Sequence, residues 1–214
     1  MLGKNIAIKG IFTTILFITM GVSQVSLEIQ NVDLDAGTLD IYMTNTAGCS
    51  SCDDSTYTTQ TLCEANGWNN GTGVWTFDAT IDEATCELEA TNGAYFDGGV
   101  GGFQFELAGI TIMASSSPTV LIVSTGVTTN PDNVGAALLL GFSLTAETIS
   151  AGSNVITQIT FTDFNNSDIC FGEDTGSAGF NTISDGIGGY IAANWGDCYC
   201  GSESPADCAG VCGG

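Results

Sequence analysis

The sequence has no histidine, and its only two basic residues, Lys4 and Lys9, lie within the first nine positions. Against them stand 24 acidic residues, all from Glu28 onward, which give a formal net charge of −22. Proteins bind phosphate backbones through lysine and arginine, so the composition argues against a nucleic acid partner. With no imidazole and no lysine beyond residue 9, the chain cannot form a Ser-His-Asp or Cys-His site, a Schiff base or a P-loop.

Charged residues are scarce overall, at 12%, whereas 43% of the chain is hydrophobic. Disordered acidic segments have few apolar residues, so this composition indicates a folded chain. No long amphipathic helix pattern follows the N-terminal segment. Threonine, serine, asparagine and 29 glycines supply most other positions, as is typical of strands joined by turns.

Residues 1–26 are predicted to be a secretory signal peptide. Lys4 and Lys9 form its positive region, an apolar run of twelve residues follows at 11–22, and small residues stand at Gly21, Ser23 and Ser26. The run is short for a spanning helix, which needs roughly 20 residues. An uncleaved anchor is the alternative. Removal of the signal would leave a secreted or cell-surface chain with no basic side chain and no membrane span.

Nine cysteines fall into two groups, four in residues 49–86 and five in residues 170–212. In an oxidising compartment they should form disulfides, whose connectivity the sequence leaves open. An odd number leaves one thiol without a partner in this chain, and we interpret the sequence as a fragment whose next cysteine is missing. A four-thiolate zinc site in the first group is the less favoured alternative. The candidates are Cys49, Cys52, Cys63, Cys86, Cys170, Cys198, Cys200, Cys208 and Cys212.

Alternating apolar and polar residues predict an all-β fold, an antiparallel β-sandwich. The phenylalanines of these segments are expected in or beside its core. The predicted strands cover residues 26–33, 38–45, 102–110, 119–124, 138–144, 154–164 and 189–195.

Residues 47–99 interrupt this pattern and are interpreted as an insertion that depends on disulfides for its shape. A short helix is predicted over residues 58–66, with Thr59 as its cap and Leu62 as its apolar contact. A short strand is predicted at residues 74–77. Tyr57, Trp68 and Trp75 are candidates for a platform that contacts a glycan or a protein partner, although we favour a small core within the insertion.

Two acidic clusters offer oxygen ligands of the kind that Ca²⁺ prefers. The first contains Asp163, Asn165, Asp168 and Asp174, but it lacks the glycine and the flanking helices of an EF-hand, so a solvated turn is favoured. The second contains Asp197 and Asp207, with a flexible acidic linker as an equal alternative. The carboxylate pair Glu87 and Glu89 arises easily by chance among 24 acids. We therefore predict no catalytic residues and no enzyme activity.

Several segments resemble cohesin-like modules. They are VGGFQFEL at residues 100–107, LGFSL at 140–144 followed by ISAGSNVI at 149–156, and the opening strands LEI and LDIYM. The resemblance implies a jelly-roll sandwich over residues 27–197 that carries the insertion at 47–99. Residues 198–214 resemble the start of a DCAGVCGG-type repeat, a Cys-rich tail found after such modules in secreted bacterial proteins.

A cohesin-like module implies a non-catalytic binding or scaffold function in an extracellular or cell-surface assembly. The implied partner is an extracellular protein domain of the dockerin type, in a setting linked to polysaccharide use. Two alternatives remain open. One is a carbohydrate-binding module whose Trp-bearing insertion contacts polysaccharide, and the other is a structural surface or filament subunit.

Overall fold

A computed structural model describes residues 23–127, 136–164, 167–173, 179–202, 205–207 and 212–213. These residues are mostly in β-strands, which confirms the predicted all-β class. The helical elements are α1 (Gln60–Asn66), α2 (Glu83–Cys86) and a 3-10 turn (Gly67–Asn69). The strands are β1 (Val25–Asp33), β2 (Thr38–Asn45), β3 (Gly48–Cys52), β4 (Trp75–Asp78), β5 (Ala94–Phe96), β6 (Val100–Ala108), β7 (Thr111–Ser116), β8 (Ile122–Val127), β9 (Ala137–Phe142), β10 (Gly152–Thr162), β11 (Asp168–Phe171), β12 (Thr182–Asp185), β13 (Tyr190–Ile191), β14 (Ala193–Asn194) and β15 (Tyr199–Cys200).

The strands form three sheets. A five-stranded sheet has the order β14-β1-β2-β10-β7 and is antiparallel except where β1 pairs with β14. In a seven-stranded sheet, β9 lies between β8 and β6. On its other edge, β6 pairs with β12 along its first residues and with β11 along its last residues. β13 and β15 extend this sheet from β12 and β11. The insertion has its own sheet, in the order β4-β3-β5.

One hydrophobic core contains residues from both larger sheets. Along β2, Leu39, Ile41 and Met43 are buried while their neighbours are less so, as the alternation predicts. The same cluster contains Phe105 of β6 and Leu139 of β9 from the other sheet. The apolar faces of the two sheets are therefore buried in a common interior.

The bulge in β10 breaks the alternation predicted for that strand. The pairing of β10 with β2 shifts register between Val155 and Thr157, so one extra residue enters β10 at this point. As a result Ile156 and Thr157 are both buried, although they are consecutive. Thr157 satisfies its hydroxyl by donating to the Ser116 carbonyl at 3.2 Å.

Two other segments depart from the predicted pattern. β7 was not predicted because its residues are mostly exposed and carry no apolar period. The strand predicted at residues 119–124 begins later, at Ile122, and the run predicted at 138–144 ends at Phe142. Leu144 is 77% exposed, so the interpretation of the whole run as a buried strand is wrong at its end.

The insertion contains the predicted helix, which begins one residue after its cap. The Thr59 side chain accepts a hydrogen bond from the Leu62 backbone at 3.4 Å, as expected of an N-cap. Leu62 itself is 49% exposed, so its predicted apolar contact is wrong. Cys63 is the buried residue of α1, and its disulfide to Cys52 joins the helix to β3.

Asn45 joins the insertion to the sheets at the end of β2. It is buried, and its Nδ2 donates to the carbonyls of Gly98, Ile149 and Ser150, the last at 3.0 Å. Gly98 follows the insertion's last strand, and Ile149 precedes β10. A single amide thus ties together three chain segments that are distant in sequence.

The first residues of the predicted tail are joined to the seven-stranded sheet. β15 pairs with β11 through Asp168 with Cys200 and Ile169 with Tyr199, and the Cys170–Cys198 disulfide closes the same junction. At the other end of the chain, β1 begins at Val25, inside the segment predicted as signal peptide, and residues 1–22 lie outside the described residues. A cleavage point before Val25 would keep this strand whole.

Candidate functional site

Eight of the nine cysteines form disulfides, and Cys208 lies outside the described residues. The pairs are Cys49–Cys86, Cys52–Cys63, Cys170–Cys198 and Cys200–Cys212. Two groups of cysteine and aspartate ligand atoms come together in the described part of the chain, Cys52-Asp53-Cys63 and Asp168-Cys170-Cys198. Their thiols are already bonded to each other, so the zinc alternative loses its thiolates. Four disulfides are typical of an oxidising compartment and not of the cytosol.

The residues predicted to bind calcium are placed in separate local contacts. Asp163 accepts the Thr162 hydroxyl at 3.0 Å, and Asp168 accepts the Ser167 hydroxyl at 2.9 Å. Asn165 and Asp174 lie outside the described residues. Asp197 is exposed beside β1 and Asp207 is partly buried, and neither belongs to a group of three ligand side chains in the described ranges. Calcium binding stays a prediction.

The three aromatic residues predicted to form a platform or a small core differ in their exposure. Trp68 is 55% exposed, whereas Tyr57 and Trp75 are partly buried. No ring contact among the described residues joins any two of them. Trp68 is therefore the member of this set that offers its ring to solvent.

Aspartates tie down the loops of the insertion. Asp53 accepts the Val74 backbone at 2.8 Å, and Asp54 accepts the Trp68 backbone at 2.7 Å. These backbone donors are the main reason that the pKa of each carboxyl lies below its ordinary value, and the Trp68 side chain lowers that of Asp53 further. The side chains of Thr80 and Thr85, followed by their backbone N–H groups, lower the pKa values of Asp78 and Asp82.

Acid is therefore expected to loosen the insertion. A carboxyl whose folded pKa is depressed stabilises the fold above the ordinary value of 3.8, and this contribution is lost as the pH falls through the folded pKa. Amide hydrogen exchange at Trp68 and Val74 should accelerate several-fold as the pH falls below 3.8 and through the folded pKa values of Asp53 and Asp54, after correction for intrinsic rates. Exchange in β2, which has no such anchors, is the internal reference. Unchanged protection at Trp68 and Val74 would contradict the expectation.

The outer face of the seven-stranded sheet carries a partly exposed apolar surface that the sequence interpretation assigned to the core. One row of directly paired residues crosses five neighbouring strands and consists of Ile122, Phe142, Gly102, Ser184 and Tyr190. The next such row on the same face consists of Ser124, Leu140, Gln104 and Thr182. Within it, Leu140 is 41% exposed. We refer to these nine residues as the outer face.

Gly102 leaves a depression in the middle of the outer face. Gly102 has no side chain, and a β-carbon at this position would lie only 3.1 Å from the Gly141 carbonyl and from the Ser184 hydroxyl. The depression has a volume of about 310 Å³ and is lined by Leu140, Phe142, Gln104 and Thr182 among others. It can accept one medium-sized side chain from a partner.

The sequence did contain a signal for this face. In the segment LLLGF, Leu139 and Gly141 are buried, whereas Leu138, Leu140 and Phe142 alternate with them and lie on the other side. A strand that is apolar on both faces is expected either between two layers or at an interface. The described residues place no second layer of secondary structure over Leu140.

None of the helices among the described residues is long and apolar enough to cross a membrane. No protein-family model and no curated protein matches the chain.

Proposed function

We propose that the chain is a secreted, non-catalytic attachment module that binds a protein domain through the outer face of its seven-stranded sheet. The observation that carries the proposal is the partly exposed apolar row of Ile122, Leu140 and Phe142 beside the depression over Gly102. Apolar side chains that surround a concave site are typical of the centre of a protein interface.

The architecture supports a jelly-roll sandwich of the cohesin-like kind implied by the sequence resemblance. The two larger sheets share one core. After the β12–β13 hairpin of the seven-stranded sheet, the chain crosses to the five-stranded sheet, where β14 pairs in parallel with β1. The four disulfides and the predicted signal peptide support an extracellular location. Fold alone does not fix a function, so the proposal rests on the outer face.

The charge of the chain limits which partner can bind. No lysine, arginine or histidine follows Lys9, so every ion pair across an interface must take its cation from the partner. Asp185 ends β12 next to Ser184, and Glu147 lies in the loop after β9, so acidic side chains flank one end of the outer face. We therefore propose a partner domain with a basic rim and an apolar side chain that enters the depression.

The test is capture of a secreted domain by the immobilised chain, followed by binding measurements with the purified domain. Leu140→Glu should weaken binding at least about 10-fold, because it places a charge in the centre of the interface. Raising the salt concentration should also weaken binding, since the charges at the rim are screened. Met113→Glu is the matched control, because Met113 is 64% exposed on β7 of the other sheet.

Two results would contradict the proposed function. One is equal binding of the domain by the wild type and by Leu140→Glu, and the other is an equal loss of binding with Met113→Glu. Near-UV circular dichroism shows whether both variants keep the native packing. The comparison then separates a lost surface from a lost fold.

A further inference from the structure

The backbone of Trp68 has a conformation that a bulky residue adopts only under constraint. Its φ is 55° and its ψ is 24°, and the next residue, Asn69, has a φ of 59°. Two consecutive non-glycine residues in the left-handed region are strained, and such strain persists where surrounding contacts impose it. In this conformation 55% of Trp68 is exposed.

Contacts within the surrounding loop hold the Trp68 backbone in this conformation. Its backbone N–H donates to the Asp54 carboxylate at 2.7 Å, and the neighbouring Asp53 carboxylate accepts from the Val74 backbone at 2.8 Å across the same loop. Beneath it the backbones of Gly67 and Gly73 cross closely, because a β-carbon on Gly67 would lie 2.5 Å from the Gly73 Cα. Indole has a single polar atom, its N–H, so most of the surface that the exposed side chain offers is apolar.

The surroundings of the ring are polar. Asn69 is exposed next to it, and its side chain has no hydrogen-bond partner among the described residues. Asn70 and Thr72, which hydrogen-bond each other at 2.7 Å, complete the loop. A sugar ring presents C–H groups on its face and hydroxyls at its edge, so an exposed indole beside the Asn69 amide matches it.

Electrostatics narrows the class of glycan. Asp53 and Asp54 lie at the Trp68 loop, Glu64 lies on the adjacent helix, and no cationic side chain follows Lys9. An acidic polysaccharide would be repelled from this surface. We infer that Trp68 is a stacking platform for a neutral polysaccharide, with Asp53 and Asp54 as its positioning residues. This site is in the insertion and does not depend on the proposed function of the outer face.

Affinity electrophoresis of the intact, disulfide-bonded chain tests this inference. Native gels would contain barley β-glucan, xyloglucan or galactomannan as neutral probes, and carboxymethylcellulose as the acidic probe. We expect at least one neutral probe to retard the wild type and carboxymethylcellulose not to. Trp68→Ala should weaken the retarding interaction at least 10-fold, and Trp68→Phe should retain part of it because a smaller ring remains.

Leu88→Ala is the matched control, since Leu88 is 56% exposed in the same insertion and should bind like the wild type. Mass spectrometry of the disulfides shows that each variant is correctly paired. Three outcomes would overturn the inference: no retardation by any neutral probe, equal retardation of Trp68→Ala and the wild type, or equal retardation by carboxymethylcellulose. Loss of protein capture in Trp68→Ala without any glycan effect would assign the ring to a protein interface instead.

Discussion

Asn45→Ala should destabilise the fold by about 2 kcal/mol, because it removes the donor from the buried Gly98 carbonyl, and an unsatisfied buried carbonyl costs roughly 1–3 kcal/mol. Asparagine has two amide hydrogens, and the carbonyls of Gly98, Ile149 and Ser150 surround its Nδ2. The Ile149 carbonyl also accepts from the Val100 backbone. The loss therefore falls mainly on Gly98, which is buried, whereas Ser150 is exposed and water can replace the lost donor.

Chemical denaturation of the oxidised protein measures this loss. Asn154→Ala is the control, since Asn154 is exposed on the adjacent strand and pairs with Met43, so its replacement should change stability by less than about 0.5 kcal/mol. Asn45→Asp offers a sharper test. A buried carboxylate that faces carbonyl oxygens favours its protonated form, so its folded pKa rises and the deficit should shrink as the pH falls. A deficit that grows in acid would contradict this account.

Gly109→Ala is the second change with a large expected effect. Gly109 joins β6 to β7 with a φ of +90°, and a β-carbon on it would lie only 1.9 Å from the Asp168 carbonyl oxygen. Left-handed backbone costs a side chain roughly 1–2 kcal/mol, and overpacking roughly 1–3 kcal/mol more, so we expect a loss of about 3 kcal/mol. The strand forced aside is β11, which carries Cys170.

Substitutions at two other glycines separate the cost of left-handed backbone from the cost of overpacking against Asp168. Gly188 has a similar φ of +88° but open space around it, so Gly188→Ala should cost only the roughly 1–2 kcal/mol of backbone strain. Gly126 has open space and an ordinary φ, so Gly126→Ala should be neutral or slightly stabilising. Denaturation midpoints for the three variants check the order. Equal effects at Gly109 and Gly188 would show that the close approach to Asp168 is not tight.

Local rules predicted the parts of this fold that local forces determine. The alternation of β2 and the capping threonine of α1 depend on residues within a few positions of each other, and both agree with the structure. The bulge at Ile156 depends on the pairing of β10 with β2, which periodicity within one strand does not contain. β7 escaped prediction because its place in the sheet comes from its hydrogen bonds to β10 and not from an apolar face.

The candidate sites show the same division. The sequence identified Trp68 as a residue of interest, but its left-handed backbone and its hydrogen bond to Asp54 are set by the folded loop. Cysteine count predicted disulfides, whereas the connectivity depends on the folded positions of the chain. The outer face was missed because Leu140 and Phe142 have the composition of a core strand, and only the position of the sheets shows which side is covered.

The Cys170–Cys198 disulfide determines how the protein carries mechanical load. Tension applied to the chain beyond Cys198 passes through this bond directly to Cys170 on β11, so the intervening segment is not stretched. That segment spans a sequence separation of 28 and includes β12, β13 and β14, the strand that pairs with β1. Reduction of this one bond would place the segment in the line of force and release about 3.5 Å of chain per residue.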